Sequence, residues 1–378
     1  MADLPRRSAV EPEMPDLHDC DVLVAGAGPT GMSAAIALYD AGYTVRIIDR
    51  HAGGLTFSRA ILVNSQTLRL LKPHGVADAI MARGRRFGSI TINGPAGRII
   101  EGSVETEDPD AIHPTALPQL ETEKCLAEGL AARGVEVSRP QTLAAFADKG
   151  DYVESFIETD GVRRTIRSRM LLGADGFHSV VREGLAIAYN RSPAPLRMYS
   201  QDAVIDWSGR TDLCVWILGS GAAIAMRIGE RLVRFAATDV ETFRALRLGG
   251  KIEKTTWESE FDVYFAQVDA YGRGNVWLAG DAAHVHSPIG GHGMNMGIAD
   301  GLRFAQAFAN GNLAAYAQER HAAAHSWVRK NRIFTELMCD RTLKGDTGRA
   351  TLRLIFRILA TLDGRNAARR VFENIAVG

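Results

Sequence analysis

The chain has 378 residues, 46% of them hydrophobic, enough to bury a large core divided between two interlocked domains. Its 44 Lys and Arg balance 44 Asp and Glu, and a formal net charge of 0 gives no electrostatic reason to expect nucleic acid or an anionic membrane as a partner. The four cysteines, Cys20, Cys125, Cys214 and Cys339, are too scattered for a zinc site, a redox pair or a disulfide framework; they read as free thiols in a reducing compartment, and no metal is expected.

In chain order, residues 1–19 carry Arg6, Arg7, five acidic residues and three prolines around no apolar core. They read as a flexible arm rather than a signal peptide, which suggests a cytoplasmic protein. No apolar run is long enough for a transmembrane helix. Residues 21–25 form a short apolar strand, 29–41 an Ala-rich helix stopped by Gly42, and 45–49 the next strand. Such a strand-helix-strand unit implies parallel pairing. Residues 66–71 and 76–83 read as short helices interrupted by Pro73 and Gly75. Residues 89–93 and 98–101 form a hairpin across Gly94-Pro95-Ala96-Gly97. A helix over 121–133 follows from the spacing of Leu126, Leu130 and Ala131. A second hairpin joins 152–158 to 162–167, and 170–174 reads as a separate buried strand.

From 203 to 237 the pattern is all strand: 203–207, 213–218, 222–228 and 232–237. This predicts an antiparallel sheet inserted into the parallel one, with Trp216, Ile217, Leu218, Ile224 and Met226 lining an apolar pocket beneath it. Residues 276–279 make another buried strand, and the chain from Leu302 onward is compatible with helix. Arg349, Arg353 and Arg357 recur every fourth residue beside Leu352, Ile355, Phe356 and Leu359. That stripe reads as the solvated face of a packed helix, with a membrane surface or a second subunit as the other reading.

Two strand ends are marked by glycine. The first is Gly26-Ala27-Gly28-Pro29-Thr30-Gly31, placed between a strand and a helix as a dinucleotide fingerprint requires. Gly26 permits the tight turn, Gly28 leaves room for a pyrophosphate, and Gly31 lets the helix pack close to the sheet. Asp49 ends the next strand, 18 residues after Gly31, where a carboxylate can accept from an adenosine ribose. The second strand end is Gly280-Asp281-Ala282-Ala283-His284, continuing through Ser287-Pro288-Ile289-Gly290-Gly291-His292-Gly293-Met294-Asn295. Its glycines allow close approach to something flat. One fingerprint suited to a pyrophosphate and one turn suited to a ring imply a single long cofactor gripped at both ends, FAD.

These motifs, with Gly173-Ala174-Asp175-Gly176 through Arg182 between them, resemble the FAD-dependent aromatic hydroxylases. These are single-component flavoprotein monooxygenases of the para-hydroxybenzoate hydroxylase fold, and the likeness is to their phenol and aromatic-polyketide hydroxylase branch. Ser58-Arg59-Ala60 and Leu117-Pro118-Gln119 are smaller matches to the same family.

The resemblance implies an α/β fold: an FAD-binding βαβ domain with a parallel sheet, an interleaved antiparallel substrate-domain sheet, and C-terminal helices. The FAD-binding domain would be discontinuous over 20–88, 119–190 and 274–310. The substrate-binding domain would take 89–118 and 191–273, and 311–378 would be helical. Asp281 would bond a ribityl hydroxyl with Gly280 beside it. The backbone of Gly291, Gly293, Met294 and Asn295 would serve the flavin N1–O2 edge. Gln119 would contact the ribityl-phosphate region, Arg59 would reach the FAD phosphates or the approaching nicotinamide, Asp175 would pack near the pyrophosphate, and Arg50 would belong to the same cofactor site. NADPH or NADH would bind transiently across the groove. Reduced FAD would react with O2 to a C4a-hydroperoxide and hydroxylate a phenolic or polycyclic ring. The Pro288 carbonyl would contact the transferred hydroxyl, with His286 and His292 lining the substrate. A homodimer is a further possible assembly. The competing activities are a halogenase-like enzyme, whose Trp-x-Trp-x-Ile-Pro segment is missing here, a flavin reductase or dehydrogenase, and a catalytically silent FAD-binding regulator.

Overall fold

The computed structural model describes residues 18–53, 60–105, 111–192, 196–208, 210–246, 248 and 250–372. At its centre lies Cys20–Ala25, buried at all six positions. A strand buried on both faces belongs inside a parallel sheet covered by helices. It pairs in parallel with Val45–Ile48 on one side and with the end of Val162–Gly173 on the other, and Val276–Leu278 extends the sheet beyond. The helix Pro29–Asp40 is small-residue-rich and buried along nearly its whole length. It is covered by Gly293–Ala309 and by Gln119–Ala131.

The hairpin strand and the separate strand expected over 162–174 are one strand, Val162–Gly173. Its first part pairs antiparallel with Val153–Thr159 and its last part parallel with Cys20–Ala25. The polar Ser168-Arg169 step looks like a break in sequence. Arg169 instead reaches Asp21 at the sheet surface, 3.1 Å away, and the backbone stays extended.

The second sheet has seven strands, in the order Ile252–Val263, Leu196–Ile205, Leu232–Ala237, Ala222–Arg227, Leu213–Ile217, Ser89–Gly94 and Gly97–Ser103. It is antiparallel except where Leu213–Ile217 runs parallel to Ser89–Gly94, so the early hairpin and the inserted strands form one surface. Besides several strands of two or three residues, two long strands escaped the sequence pattern, Thr142–Asp148 and Ile252–Val263. Both are mostly exposed, and Ile252–Val263 carries Glu253, Lys254, Glu258, Glu260 and Asp262. Charges on an edge strand block further pairing but also erase the hydrophobic alternation that marks a strand.

The two faces of this sheet have different partners. Cys214, Trp216, Ala223, Ala225, Val233, Phe235 and Ala203 form an outer core with Phe243 and Leu246. Trp216 and Leu218 therefore point away from the expected pocket. On the inner face, Ile90, Ile92 and Ile217 pack under the C-terminal helices through Met338 and Phe356. Met226 meets Ile61 and Leu62, and Met198 and Val263 meet Ile289.

The C-terminal region is helical over Leu313–Cys339, Leu343–Asp363 and Ala367–Phe372. Arg349 does not lie on a solvated face: it is fully buried and donates to the carbonyls of Leu337 (3.0 Å), Met338 (3.2 Å) and Asp340 (2.6 Å). It closes the C-terminal end of Leu313–Cys339, where carbonyls lack helical partners and a cation is favoured. Arg353 likewise donates to the carbonyls of Ile217 and Leu218. The outward face of that helix is Leu354, Ile355, Ile358 and Leu362, all exposed.

Candidate functional site

The first glycine turn is shaped by crowding behind it and space in front. Gly26 has φ +103°, and a Cβ there would lie 2.2 Å from the Ala174 carbonyl oxygen, so only glycine fits. Gly31 packs back onto the Gly26 carbonyl. At Gly28 the reverse holds: an added Cβ would meet nothing within 4 Å. Pro29 and Thr30 begin the helix, and Gly28 caps it without a side-chain bond. The open space thus faces backbone N–H groups with no helical acceptor, an arrangement suited to a phosphate. Asp49 stands at the end of the neighbouring strand and accepts from the Ala27 and His51 N–H groups, both at 2.8 Å. Arg139 lies beside it at 3.8 Å and donates to the Ala27 carbonyl at 3.2 Å. No spacing signal pointed to Arg139, because it comes from a distant strand end. Arg50 is exposed at the same rim.

The second turn is brought against the first. Gly280 has φ +62°, and a Cβ on it would sit 2.5 Å from Thr30 Oγ1, so the two motifs, about 250 residues apart in sequence, touch. A buried polar hub holds Gly280 there. Asp300, with no exposed surface, accepts from the Gly280 N–H at 2.9 Å and from Arg320 Nε at 2.5 Å, and pairs with His284 Nε2 at 2.7 Å. Burial opposes ionisation of Asp300, but Arg320 and His284 hold its carboxyl down to about 2. His284 therefore bonds a carboxylate. The Tyr316 hydroxyl donates to Leu278 and that of Tyr271 to Arg320, fixing the strand that leads into the turn. Sequence reasoning missed Arg320, which lies on the next helix, 20 residues after Asp300, and carries no motif. Asp281 follows the hub with its side chain exposed, while its carbonyl accepts from the Tyr189 hydroxyl at 3.0 Å.

Beyond the hub the chain turns at Pro288, whose carbonyl accepts from the Gly291 N–H at 3.0 Å. Asn295 is buried and structural in its contacts: Nδ2 donates to the Leu62 and Gly291 carbonyls, and Oδ1 accepts from the Asn64 N–H. It ties the turn to residues 62–64. The helix Gly293–Ala309 begins immediately, with no side-chain cap and its first intrahelical bond from Met296 to His292. The N–H groups of Gly293, Met294 and Asn295 precede that bond and form a partially positive end, matching the anionic edge expected of a reduced flavin. Met294 is half-buried against the core. His286 Nδ1 pairs with the Ser287 carbonyl at 2.8 Å, which leaves Nε2 as the lone-pair nitrogen. Burial pushes its pKa down to about 3, so the ring is neutral at ordinary pH. His292 packs against Trp327, ring centroids 3.8 Å apart and the planes tilted by 39°.

Asp175 follows the Gly26 contact. Its Oδ2 accepts from the Val181 N–H, its Oδ1 is buried without a partner, and burial raises its pKa. Arg182 is a bridge: buried, it donates to the Phe177 and Ala282 carbonyls and lies over Tyr189, joining this segment to the second turn. Gln119 opens its helix and donates to Glu123 at 2.8 Å. Arg59 and Ser58 lie outside the described residues. Among the described residues no three His, Cys, Asp or Glu side chains gather as a metal site, and the four cysteines are free.

These residues fit FAD. There is open space at the uncapped turn beside Gly28, a carboxylate at the strand end, an orphaned buried oxygen at Asp175 and a second uncapped helix end beyond Pro288. Comparison with known proteins agrees. The chain is 32% identical to the 6-methylpretetramide 4-monooxygenase of Streptomyces rimosus over 86% of its own length and 64% of that relative's. It is 29% identical to the pentachlorophenol 4-monooxygenase of Sphingobium chlorophenolicum over 75% of itself and 56% of that protein. The chain therefore spans roughly three fifths of the length of these relatives. The p-nitrophenol 4-monooxygenase structure from Pseudomonas putida shares the fold with a TM-score of 0.83 at 21% identity, covering 94% of this chain and 96% of that one. The FAD binding domain model matches residues 19–228 and 246–331, and the chain belongs to that family.

Proposed function

We propose that the protein is an FAD-dependent monooxygenase that hydroxylates a phenolic or polycyclic aromatic ring with NADPH or NADH and O2. The observation that carries this reading is the contact of Thr30 with Gly280, which sets a phosphate-binding turn and a ring-binding turn side by side for one extended cofactor. Relatives named as monooxygenases of aromatic compounds support the same reading. When bound, FAD supplies hydride acceptance and the activation of O2.

The chain's own residues bind, orient and exclude water. The turn at Gly26, Gly28 and Gly31 holds the pyrophosphate, Asp49 the ribose and Asp281 the ribityl chain. The N–H groups of Gly293 to Asn295 stabilise negative charge on the flavin edge. The Pro288 carbonyl, His286 and His292 line the reacting face, and neutral His286 accepts a hydrogen bond there rather than donating a proton at neutral pH. The substrate sheet closes the pocket from above, which keeps water from the reactive flavin. The nicotinamide cofactor docks across the groove between the two sheets. The exposed Leu354, Ile355, Ile358 and Leu362 are the homodimer face in this reading. No helix among the described residues is long and apolar enough to cross a membrane.

The test is direct. Purified protein reconstituted with FAD is given NADPH or NADH with 1-naphthol under 18O2, and product mass is recorded. One atom of label in the product is expected. Substrate-stimulated NAD(P)H oxidation without label favours the reductase or dehydrogenase alternative, and failure to retain FAD ends the proposal.

A further inference from the structure

The helix Leu313–Cys339 carries none of the glycine motifs, yet one of its faces runs along the whole second turn. Its buried positions Tyr316, Arg320, Ala324, Asn331, Thr335 and Met338 recur at helical spacing and form one stripe. Tyr316 donates to the Leu278 carbonyl at 2.7 Å, in the strand that leads into the turn, and Arg320 holds the Asp300 hub. Asn331, about four helical turns beyond Tyr316, reaches the turn itself.

Asn331 is 4% exposed and uses both ends of its amide. Oδ1 accepts from the Ser287 N–H at 3.1 Å, and Nδ2 donates to the Ile289 carbonyl at 2.7 Å. These two groups flank Pro288, which has no N–H of its own to anchor. Ser287 Oγ takes the Ile289 N–H at 3.1 Å. The next two residues, Gly290 and Gly291, have φ of +89° and +70°, and glycine puts no side chain in the way of other conformations. The backbone over 287–291 is therefore held by two polar clamps, Asn295 from the helix that follows and Asn331 from a later one. An amide suits this task, because one side chain offers both the acceptor and the donor that a neighbouring strand would supply. Trp327, one helical turn before Asn331, packs against His292 and lies edge-on to His286, with centroids 6.1 Å apart in the second pair. The same helix thus holds the Pro288 backbone and both rings that border it.

We infer that Asn331 is a positioning residue, one that fixes the Pro288 carbonyl relative to the flavin head and the ring to be hydroxylated. The inference rests on the monooxygenase reading above and deepens it, by giving the C-terminal helix a part in the reaction. Hydrogen bonds exchanged for those with water add little net stability, but they set direction. Without them the turn can pivot at its glycines, and a displacement of about 1 Å at a reacting centre is costly to rate. The pyrophosphate turn and the Asp300 hub keep their own partners, so the cofactor stays bound.

Two readouts test this in the FAD-loaded protein: the visible circular dichroism of the bound flavin, and the share of consumed NAD(P)H recovered as hydroxylated 1-naphthol. In Asn331→Ala the FAD dissociation constant should stay within about twofold of the parent's, as for sites that share no partner. The flavin dichroism should change, and the product share should fall about tenfold, with hydrogen peroxide making up the difference. Asn331→Asp keeps the acceptor for Ser287 but turns an oxygen towards the Ile289 carbonyl. It should move both readouts in the same direction, and it serves if the alanine variant does not fold. Met338→Ala is the control for helix stability. It empties a buried site on the same helix that packs with Ile217 and Phe356 rather than with the turn, and it should leave both readouts at parent values. Parent-like dichroism and product share in the Asn331 variants overturn the inference, as does a Met338→Ala protein that moves both as far. If the unaltered holoprotein yields no hydroxylated 1-naphthol, the monooxygenase reading falls, and the dichroism alone decides whether Asn331 sets the turn against the flavin.

Discussion

Replacing Asp300 by Asn should detach the second turn from the core. The carboxylate accepts from Gly280, His284 and Arg320 with no exposure to solvent. An amide offers one oxygen and one NH2. If the oxygen serves Gly280, the NH2 faces Arg320; if it serves Arg320, the NH2 faces the Gly280 N–H. Either way two donors oppose each other, and Arg320 stays buried without its counter-charge. Breaking such a pair by removing one partner costs about 3–5 kcal/mol. The pKa of Asp300 gives an independent figure. It lies at about 2 in the fold because Arg320 and His284 outweigh the burial that would raise it. The unfolded chain sets it near 4, so linkage assigns roughly 2–3 kcal/mol to the same contacts. That contribution is present above about pH 4 and is lost as pH falls towards 2. Urea unfolding of the FAD-loaded protein at pH 7 measures the cost, and the flavin dissociation constant measures the turn. Asp300→Asn combined with Arg320→Met should recover part of the loss, because the asparagine oxygen then serves Gly280 with no cation left unpaired. A single variant within about 1 kcal/mol of the parent, or a double variant no better than the single, refutes the hub.

Two further substitutions probe the contact between the motifs and the pocket histidine. A Cβ at Gly297 would lie 2.3 Å from Thr30 Oγ1, so Gly297→Ala should destabilise by about 1–3 kcal/mol and weaken FAD binding, and Thr30→Ala in that background should restore both. Equal flavin affinity in parent and Gly297→Ala would contradict the packing. His286 has a folded pKa of about 3, well below its ordinary value, so the unfolded chain binds the extra proton first as pH drops. Its contribution is complete above about pH 6.5 and declines as pH falls towards 3. The melting temperature of His286→Asn should therefore fall less than that of the parent between pH 7.5 and pH 5. Parallel curves would mean that the imidazole titrates freely.

The sequence by itself determined the parts whose chemistry is local. A glycine forced to positive φ just past the end of an apolar strand marks its own position, as Gly26 and Gly280 do. The buried strand Cys20–Ala25 and the helix Pro29–Asp40 follow from short-range pattern, and the outer-face apolar strands follow from alternation. Tertiary structure decided what depends on distant partners. Charged residues read as surface until their counter-charges are seen: Asp300 with Arg320, Asp202 with Arg234, and Arg349 against the carbonyls that end a preceding helix. A polar edge strand such as Ile252–Val263 has no periodic signal because only its backbone is used by the sheet. The direction in which Trp216 points was likewise settled by a neighbouring helix, not by its own strand. Local sequence sets backbone conformation and hydrophobic period, whereas the free energy of a buried charge depends on what lies across from it, and only the folded chain supplies that.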